Sequence, residues 1–454
     1  MRLASSRWLI ALACLCAPPA ARADVVLVGR LTSPGVGAEL TAGAQAPSVS
    51  PDGRYVAFAS SSNNLGVPSN GSLNVYRYDL VSDVFELATQ NLGTGNSSAP
   101  SISAAGLALA FQSEANDLAV GNPSGGTDVF YSVAVDAGGG AIGFETYLVS
   151  QGMGGAAPNG ASQDASLSAD GRWVAFHSSA SNLVAGDTNG GPDIFVADAN
   201  DLFSTPQRVS VTGAGVQIDG PSRALSPSAI SADGRYVAFA VDTPVSIDGS
   251  NAGTLEDVFV RDRVAGTTSL VSKSTAGVAG SSSSDMAAIS PSGRFVAFRS
   301  FSSNLVTSAS GSRIYVRDRQ QGATTNMPLP PGAASCEDPR VSDSGDVVAQ
   351  CNMNAGFAQA FLWDPAGEGA LYQLSTSLTD GQGNGASGNF SGISADGAVM
   401  VFDSAASDLV PDDANNTLDV FVVIPEPGVA SGWLAAVAAL AALARRRGRR
   451  APPS

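Results

Sequence analysis

Hydrophobic and polar positions repeat along the chain in one short pattern. The segment Val49 to Phe58 combines a brief apolar strand, a polar Ser-Pro-Asp-Gly turn and a second strand that ends in Val-Ala-Phe. Gly supplies the positive φ that a tight turn needs and Asp tolerates it, so the segment predicts a β-hairpin. Six further copies, three close and three weaker, are Leu167 to Phe176, Ile230 to Phe239, Ile289 to Phe298, Ile102 to Phe111, Val341 to Gln350 and Ile393 to Phe402.

More strands follow each hairpin. A third comes next, as in Asp193-Ile194-Phe195, and a fourth in most copies, as in Arg208-Val209-Ser210. Four antiparallel strands repeated seven times are typical of a propeller. We therefore predict an all-β, seven-bladed β-propeller of four-stranded antiparallel blades over residues 24–424. Its repeats lie near 48–90, 100–150, 165–212, 228–273, 287–327, 339–375 and 391–422, with 25–32 added to the last.

The two ends of this region complement each other. The seventh unit has only three strands before Pro425, while Arg30-Leu31-Thr32 near the start resembles Arg208-Val209-Ser210. A linear solenoid would need atypical capping units, whereas an N-terminal strand in the last blade removes both exposed edges. We predict a closed ring in which Val25 to Leu31 pairs with Leu418 to Val422.

Both chain termini carry features of export. Residues 1–23 begin with Arg2 and Arg7, continue with an apolar run and end in Ala21-Arg22-Ala23, which predicts a signal peptide cleaved after Ala23. Residues 429–444 are almost wholly apolar and precede a cluster of arginines. They predict a single helix, marginally long enough to span a membrane, with the arginines on the cytoplasmic side.

Two resemblances to known families follow from these motifs. Pro425, Glu426 and Pro427, the apolar helix and the arginine cluster together resemble the PEP-CTERM sorting signal that exosortases handle in Gram-negative bacteria. This resemblance implies transient anchoring in the inner membrane and removal of the tail 425–454. Signal peptidase and an exosortase would be the processing partners, and the protein would reach the periplasm, the cell surface or the extracellular space.

The repeat itself also resembles a known family. The Ser-Pro-Asp-Gly-Arg-Tyr-Val-Ala-Phe unit, followed by Asp-Val-Phe-Val-Arg-Asp, is similar to the Pro-Asp, WD-like repeat of TolB-type β-propellers. The resemblance covers nearly all of residues 25–424. It implies the fold and leaves the function open, because the same blade serves binding scaffolds, peptidase domains and lyases.

Charge and cysteine content indicate which partners and which redox compartment to expect. Residues 24–424 contain 16 Lys and Arg against 39 Asp and Glu, a formal net charge of −23. Such a surface repels nucleic acid, so none is expected as a partner. Cys336 and Cys351 are the only cysteines of this region and flank the sixth hairpin. In an oxidising compartment they predict one disulfide.

Candidate catalytic residues are few. His177 is the single histidine and follows Phe176, where other copies place Ala59, Gln112, Ala240, Arg299 and Asp403. We interpret it as a variable blade position, because the histidine-rich metal site of the oligogalacturonate lyases has no counterpart here. The repeated serines from Ser50 to Ser394 and the turn aspartates are predicted to be structural. No catalytic residue and no definite cofactor is assigned.

Two acidic loops are candidate calcium sites. Each carries side-chain oxygens at alternate positions, as calcium loops do, although neither matches the EF-hand pattern. The alternative is an Asp/Asn/Gly turn selected for its backbone conformation. The candidate ligands are Asp187, Asn189 and Asp193 in one loop and Asp412, Asp413, Asn415 and Asp419 in the other.

These features favour a non-enzymatic protein that binds or scaffolds an unknown protein or polysaccharide ligand outside the cytoplasm. The alternative is a secreted polysaccharide-active hydrolase or lyase with its site in the propeller channel, where carboxylates of perturbed pKa would converge. Long variable loops should share one face and bind the partner. They are Asn63 to Ser72, Asn116 to Thr127, Asn182 to Pro192, Asp242 to Glu256 and Asp408 to Leu418.

Overall fold

Seven β-sheets form the molecule. A computed structural model describes residues 26–425, apart from 34–38, 90–91, 120–125, 139–140, 203, 223–225, 243–246, 248–254, 308–310, 367–368 and 416. The prediction of an all-β, seven-bladed propeller with four-stranded antiparallel blades is confirmed. The predicted signal peptide, Glu426, Pro427 and the predicted helix 429–444 lie outside the described residues. Within the part that is described, no helix has the length and apolar character needed to cross a membrane.

The strands follow the order of the repeats. The N-terminal strand is β1 (Val26–Arg30). Blade 1 contains β2 (Gln45–Val49), β3 (Tyr55–Ser60), β4 (Asn74–Asp79) and β5 (Val84–Leu87). Blade 2 contains β6 (Ser97–Ile102), β7 (Ala108–Ser113), β8 (Asp128–Gly138) and β9 (Ala141–Leu148), and a 3₁₀ turn (Met153–Gly155) follows it. Blade 3 contains β10 (Ser162–Leu167), β11 (Trp173–Ser178), β12 (Asp193–Asp198) and β13 (Gln207–Arg208).

The remaining blades continue in the same way. Blade 4 contains β14 (Tyr236–Asp242), β15 (Glu256–Asp262) and β16 (Thr267–Leu270). Blade 5 contains β17 (Ser284–Ile289), β18 (Phe295–Ser300), β19 (Arg313–Asp318) and β20 (Ala323–Asn326). Blade 6 contains β21 (Ala333–Val341), β22 (Val347–Met353), β23 (Gln359–Asp364) and β24 (Ala370–Gln373). Blade 7 contains β25 (Ser387–Ile393), β26 (Met400–Ser404) and β27 (Asp419–Pro425).

The N-terminal strand closes the ring. β1 pairs antiparallel with β27, from Val26 opposite Pro425 to Arg30 opposite Phe421, and completes the order β1-β27-β26-β25. The predicted closure is therefore confirmed. Apolar side chains also meet across this seam, where Val401 and Val422 of blade 7 pack with Val56 and Phe58 of blade 1.

The hydrophobic core is divided among the blade interfaces. Each of the seven core clusters joins two consecutive blades. Within most blades the last aromatic residue of the second strand lies beside an aromatic residue of the third, as Phe176 does beside Phe195 with ring centroids 5.8 Å apart. This arrangement explains the Val-Ala-Phe pattern, because its alternate side chains face opposite neighbouring blades.

The repeated serine and aspartate hold the tight turns. In blade 1 the Ser50 Oγ donates to Asp52 Oδ1 at 2.5 Å and accepts from the Tyr55 amide at 2.9 Å. Asp52 Oδ1 in turn accepts from the Arg54 amide at 3.1 Å. The prediction that these serines and aspartates serve the hairpin is confirmed, since the same bonds recur around Ser168, Ser231 and Ser394.

Two blades depart from the repeat. In blade 4 the innermost segment contacts β14 only through isolated bridges, such as Ile230 opposite Val237. In blade 6 the hairpin is one residue shorter, because Val341 lies opposite Val347 whereas Ile289 lies opposite Val296. The repeat aligned Gln350 with the final phenylalanine of the other copies, but Gln350 does not occupy that position. Ala349 lies there instead, opposite Phe361.

Candidate functional site: the channel and the loop face

The propeller has two different faces. The tight turns between the first and second strands, such as Ser50 to Gly53, share one face, which we call the turn face. The connections between second and third strands, and those between consecutive blades, share the opposite face, which we call the loop face. The first strand of each blade lines the central channel between them.

The innermost strands carry a recurrent bulge. In six blades the pairing of the first strand with the second shifts register near its loop-face end. A residue with positive φ lies at each shift, and five of the six are not glycine. These five are Ala46, Ala99, Asp164, Met286 and Asp338, with φ between 49 and 58°. Strained conformations of this kind persist only where surrounding contacts fix them.

Polar residues of the second strands supply such contacts at the loop-face mouth of the channel. They occupy the position that follows the repeated phenylalanine, and their side chains reach the innermost segment of the next blade. Gln112 Oε1 accepts from the Asp164 amide at 3.0 Å, and Asp403 Oδ2 accepts from the Ala46 amide at 3.3 Å. The sequence does not indicate that these residues link neighbouring blades, because the four residues are of different types. The four links are Gln112 to Asp164, His177 to Ser222, Arg299 to Glu337 and Asp403 to Ala46.

His177 is one of these links. Its Nε2 lies 3.2 Å from the Ser222 carbonyl oxygen and donates to it, while its Nδ1 lies 3.9 Å from Asp164 Oδ2. Burial lowers the pKa of His177, so the imidazole is neutral at pH 7. Burial also raises the pKa of Asp164 to about 6. Of its side chain, 12% is accessible.

A second polar group lies between blades 5 and 6. The Arg299 guanidinium binds both carboxylate oxygens of Asp285, at 2.8 and 2.6 Å, and reaches Glu337 of the next blade at 3.0 Å. Asn352 Nδ2 donates to the same Glu337 at 2.7 Å. The acidic side chains at this part of the mouth are thus already paired with a cation.

The first predicted calcium loop is held by an arginine. Arg208, on β13, places Nε 3.5 Å from Asp193 Oδ2 and Nη2 4.0 Å from Asp187 Oδ2. Gln217 Nε2 donates to both carboxylates, at 2.8 and 3.0 Å. Asn189 Oδ1 accepts from the Gly191 amide, the Asx turn that was the alternative to calcium.

The second loop repeats the arrangement at the ring closure. Arg30, on β1, lies 3.0 Å from Asp413 Oδ1, 3.0 Å from Glu39 Oε1 and 3.6 Å from Asp419 Oδ2. Its Nη2 donates to the Asp412 carbonyl, as Arg208 Nη1 does to Gly186. Asn415 Oδ1 accepts from the amide of Thr417 and so forms the corresponding Asx turn.

These contacts give the calcium prediction no support. Two of the candidate ligands, Asp193 and Asp419, are buried, with 0% and 1% of the residue exposed. Among the described residues, no group of three or more His, Cys, Asp or Glu side chains is placed to hold a metal ion. An arginine from the fourth strand lies within ion-pair distance of the carboxylates in each loop.

The predicted cysteine pair occupies a position that serines occupy elsewhere. Cys336 and Cys351 lie opposite each other on β21 and β22 and form a disulfide with an S–S distance of 1.99 Å. At the equivalent register of blades 2, 3, 5 and 7, two buried serines form an Oγ–Oγ hydrogen bond of 2.7–2.9 Å. The disulfide thus joins the same two strands that a serine pair joins in those blades.

The channel is narrow where all seven blades converge. The cavity there has a volume of about 60 Å³. The carbonyl of Pro227 in blade 4 accepts from Ser101 Oγ of blade 2 at 3.1 Å and from Ser166 Oγ of blade 3 at 3.0 Å, so the blade 4 segment fills part of the axis. Pockets for small organic ligands usually measure about 300–1,000 Å³. This part of the channel therefore does not accommodate a sugar chain.

The loop face exposes apolar side chains on adjacent blades. Phe301, directly after β18 of blade 5, is 43% exposed, and Phe357, between β22 and β23 of blade 6, is 53% exposed. Both lie in connections between second and third strands, but in blades 5 and 6, outside the five loops that the sequence predicted to bind a partner.

Comparison with known proteins identifies the fold. At the level of sequence, no protein-family profile and no curated protein matches the chain. Among solved structures, it is similar to an oligogalacturonate lyase from Vibrio parahaemolyticus, with 13% identity, a TM-score of 0.51 and coverage of 88% of this chain and 94% of the lyase.

Two other propellers resemble the chain. The β-propeller domain of the Trilobed protease from Pyrococcus furiosus has 10% identity and a TM-score of 0.50 over 84% of this chain and 93% of that domain. A protein described as TolB from Agrobacterium tumefaciens matches with 14% identity over 77% of this chain and 96% of its own length, with a lower TM-score of 0.38. At these identities the likeness to the lyase and to the protease domain shows the propeller fold alone.

Proposed function

We propose that this protein is an exported, non-enzymatic β-propeller that binds a protein or polysaccharide partner on its loop face. The observation that carries the proposal is that the polar residues at the channel mouth contact the neighbouring blade. Gln112, His177, Arg299 and Asp403 each contact the next blade, so these side chains join blades. The loop face is then the part of the scaffold whose loops vary and which exposes the aromatic side chains of Phe301 and Phe357.

Export is supported by the disulfide between Cys336 and Cys351. Disulfides persist in oxidising compartments such as the periplasm and the extracellular space, and they are rare in the cytosol. In this proposal the signal peptide is removed after Ala23 and the tail is cleaved near Pro425 to Pro427 after transient anchoring in the inner membrane.

One observation favours a second function, a polysaccharide-active enzyme. Asp164, with a pKa raised to about 6 by burial, lies beside the chain's only histidine at the channel mouth. A carboxyl group of this kind could act as a general acid near neutral pH. The bonds from Gln112 to the Asp164 backbone and from His177 to Ser222 favour the structural role.

The location of binding is tested with matched surface variants. The purified protein is applied to extracellular matrix from its own culture, and the retained fraction is measured. We expect Phe301→Ser with Phe357→Ser to reduce retention about tenfold or more, as for loss of central apolar contacts. Val264→Ser, which changes a 77% exposed residue of the turn face, should bind like the wild type. Equal retention of all variants would place the binding surface elsewhere.

Export and processing are tested in the native host. Intact-mass measurement of the extracellular protein should give a chain that begins at Asp24 and ends near Pro425 to Pro427. An extracellular form that retains the arginines 445–450 would contradict the proposed sorting signal.

A further inference from the structure

Three polar side chains stand out on the cavity at the propeller axis. The cavity is lined mainly by apolar residues from all seven blades, including Ile102, Leu167, Ile289, Val341 and Ile393. Arg340 of blade 6, Ser391 of blade 7 and Ser48 of blade 1 line the same cavity from three consecutive blades.

Arg340 is a buried cation with few partners. The residue is 4% exposed, and of its five N–H donors only Nη1 has a protein acceptor, the Pro339 carbonyl at 2.9 Å. Nε is buried and has no hydrogen-bond partner. No carboxylate oxygen of the described residues lies within ion-pair distance of the guanidinium, and the acid that interacts with it electrostatically is Asp338, two residues away. A buried charge without a partner is strongly unfavourable.

The two serines add further donors. Ser48 Oγ and Ser391 Oγ are buried and have no hydrogen-bond partner among the described residues. Their situation differs from that of Ser101 and Ser166 on the same axis, whose hydroxyls donate to the Pro227 carbonyl and accept from backbone amides. Hydroxyl and guanidinium donors therefore remain free on one side of the cavity, and no carboxylate belongs to its lining.

We propose that this cavity binds a small monovalent anion, of the size of chloride or formate, through the Arg340 guanidinium and the hydroxyls of Ser48 and Ser391. The anion supplies the charge that the guanidinium lacks, and the hydroxyls donate to it. The volume of about 60 Å³ admits such an ion. Because blades 6, 7 and 1 all contribute, the ion stabilises the ring beside its closure.

Thermal unfolding of the full chain tests the site. Melting temperatures are measured in sodium chloride and in sodium gluconate at equal ionic strength, since gluconate is a much larger anion than chloride. An anion bound only by the folded state should raise the Tm by roughly 1–2 °C for each tenfold increase in chloride above its Kd. The Arg340→Met variant should lose this difference between the two salts. Equal Tm values for the wild type in both salts would overturn the proposal.

Matched variants separate the site from general salt effects. Ser166→Ala removes a channel hydroxyl that is already bonded, and Arg317→Met removes a buried arginine that binds Ser274 and Thr324 away from the axis. Both should keep the chloride response. If Arg340→Met does not fold, Ser48→Ala with Ser391→Ala should still weaken the response. A response that persists in Arg340→Met would contradict the assignment.

A direct measurement uses bromide. Crystals grown in sodium bromide should show an anomalous peak inside the cavity, beside Arg340. Peaks confined to the protein surface, with only water in the cavity, would show that the donors are satisfied by solvent and would overturn the proposal.

Discussion

At the scale of single residues, arginine and aspartate make contacts of very different strength in this protein. Arg54 and Asp79 form a partly exposed pair in blade 1, with 41% of the arginine side chain and 10% of the aspartate side chain accessible. Arg30 is buried and pairs with Asp413, Asp419 and Glu39 at the ring closure. Surface pairs contribute little, whereas removing one partner of a buried group leaves uncompensated charge.

This contrast predicts the effect of removing each arginine. Arg30→Met should lower the free energy of unfolding by about 3–5 kcal/mol, because three carboxylates lose their cation. Arg54→Met should cost about 1 kcal/mol or less. Chemical denaturation of both variants measures the difference, and calcium added to either should not restore stability. Equal losses, or rescue of Arg30→Met by calcium, would contradict the ion-pair description.

The buried carboxyl of Asp164 predicts a pH dependence of stability. Its pKa is raised to about 6 in the folded protein, so between about pH 4 and pH 6 the unfolded chain releases this proton while the folded chain keeps it. Stability from this group is therefore present below pH 4 and is lost as pH rises through 6.

Asp164→Asn should remove that loss. Relative to the wild type, the variant should gain up to about 1.4 kcal/mol of stability for each pH unit across this window. Unfolding curves at pH 4, 5, 6 and 7 measure the gain. His177→Gln serves as the control, because the lowered pKa of His177 acts in the opposite direction, destabilising the wild type as pH falls below about 6.5. A constant difference between Asp164→Asn and wild type would contradict the raised pKa.

At the scale of the strand pair, different blades link their first and second strands through different residues. The position of the Cys336–Cys351 disulfide is occupied by bonded serines in four other blades. A serine pair should therefore replace the disulfide without loss of the fold. The disulfide closes a loop of 15 residues, which corresponds to about 3 kcal/mol in the chain-entropy model.

Double substitution of Cys336 and Cys351 tests this equivalence. The Ser/Ser variant should lose about 2 kcal/mol of stability, because one hydrogen bond returns about 1 kcal/mol of the loss. The Ala/Ala variant should lose more, since it lacks both links. Urea denaturation distinguishes the two, and thiol labelling of the denatured wild type should find no free thiol. Identical stability of Ser/Ser and Ala/Ala would refute the equivalence.

The strand pattern was predictable and its side-chain contacts were not. Alternating apolar positions and the Asp-Gly turn sufficed for the hairpins, because they depend on local geometry. The link from Gln112 to Asp164 joins residues 52 positions apart in different blades, and no local pattern encodes it. The alignment of blade 6 with the other repeats was wrong by one residue, because its turn is one residue shorter and shifts the register.

At the scale of the whole molecule, closure depends on the two ends of the chain. The resemblance between Arg30-Leu31-Thr32 and Arg208-Val209-Ser210 predicted the last strand, and both arginines bind equivalent acidic loops. The same loops looked like calcium sites in the sequence, because alternate oxygens also suit an arginine that arrives from a distant strand. In the folded ring, Arg30 and Arg208 lie within ion-pair distance of carboxylates in these loops.

The central claim is that the channel mouth joins blades and that the protein binds rather than reacts. It is tested most directly by incubating the full protein with extracellular polysaccharide from its own culture and measuring released oligosaccharides by mass spectrometry. The account predicts no release above the buffer control, with wild type and Asp164→Asn alike. Oligosaccharides released by the wild type, and lost in Asp164→Asn or His177→Gln variants that remain folded, would contradict it.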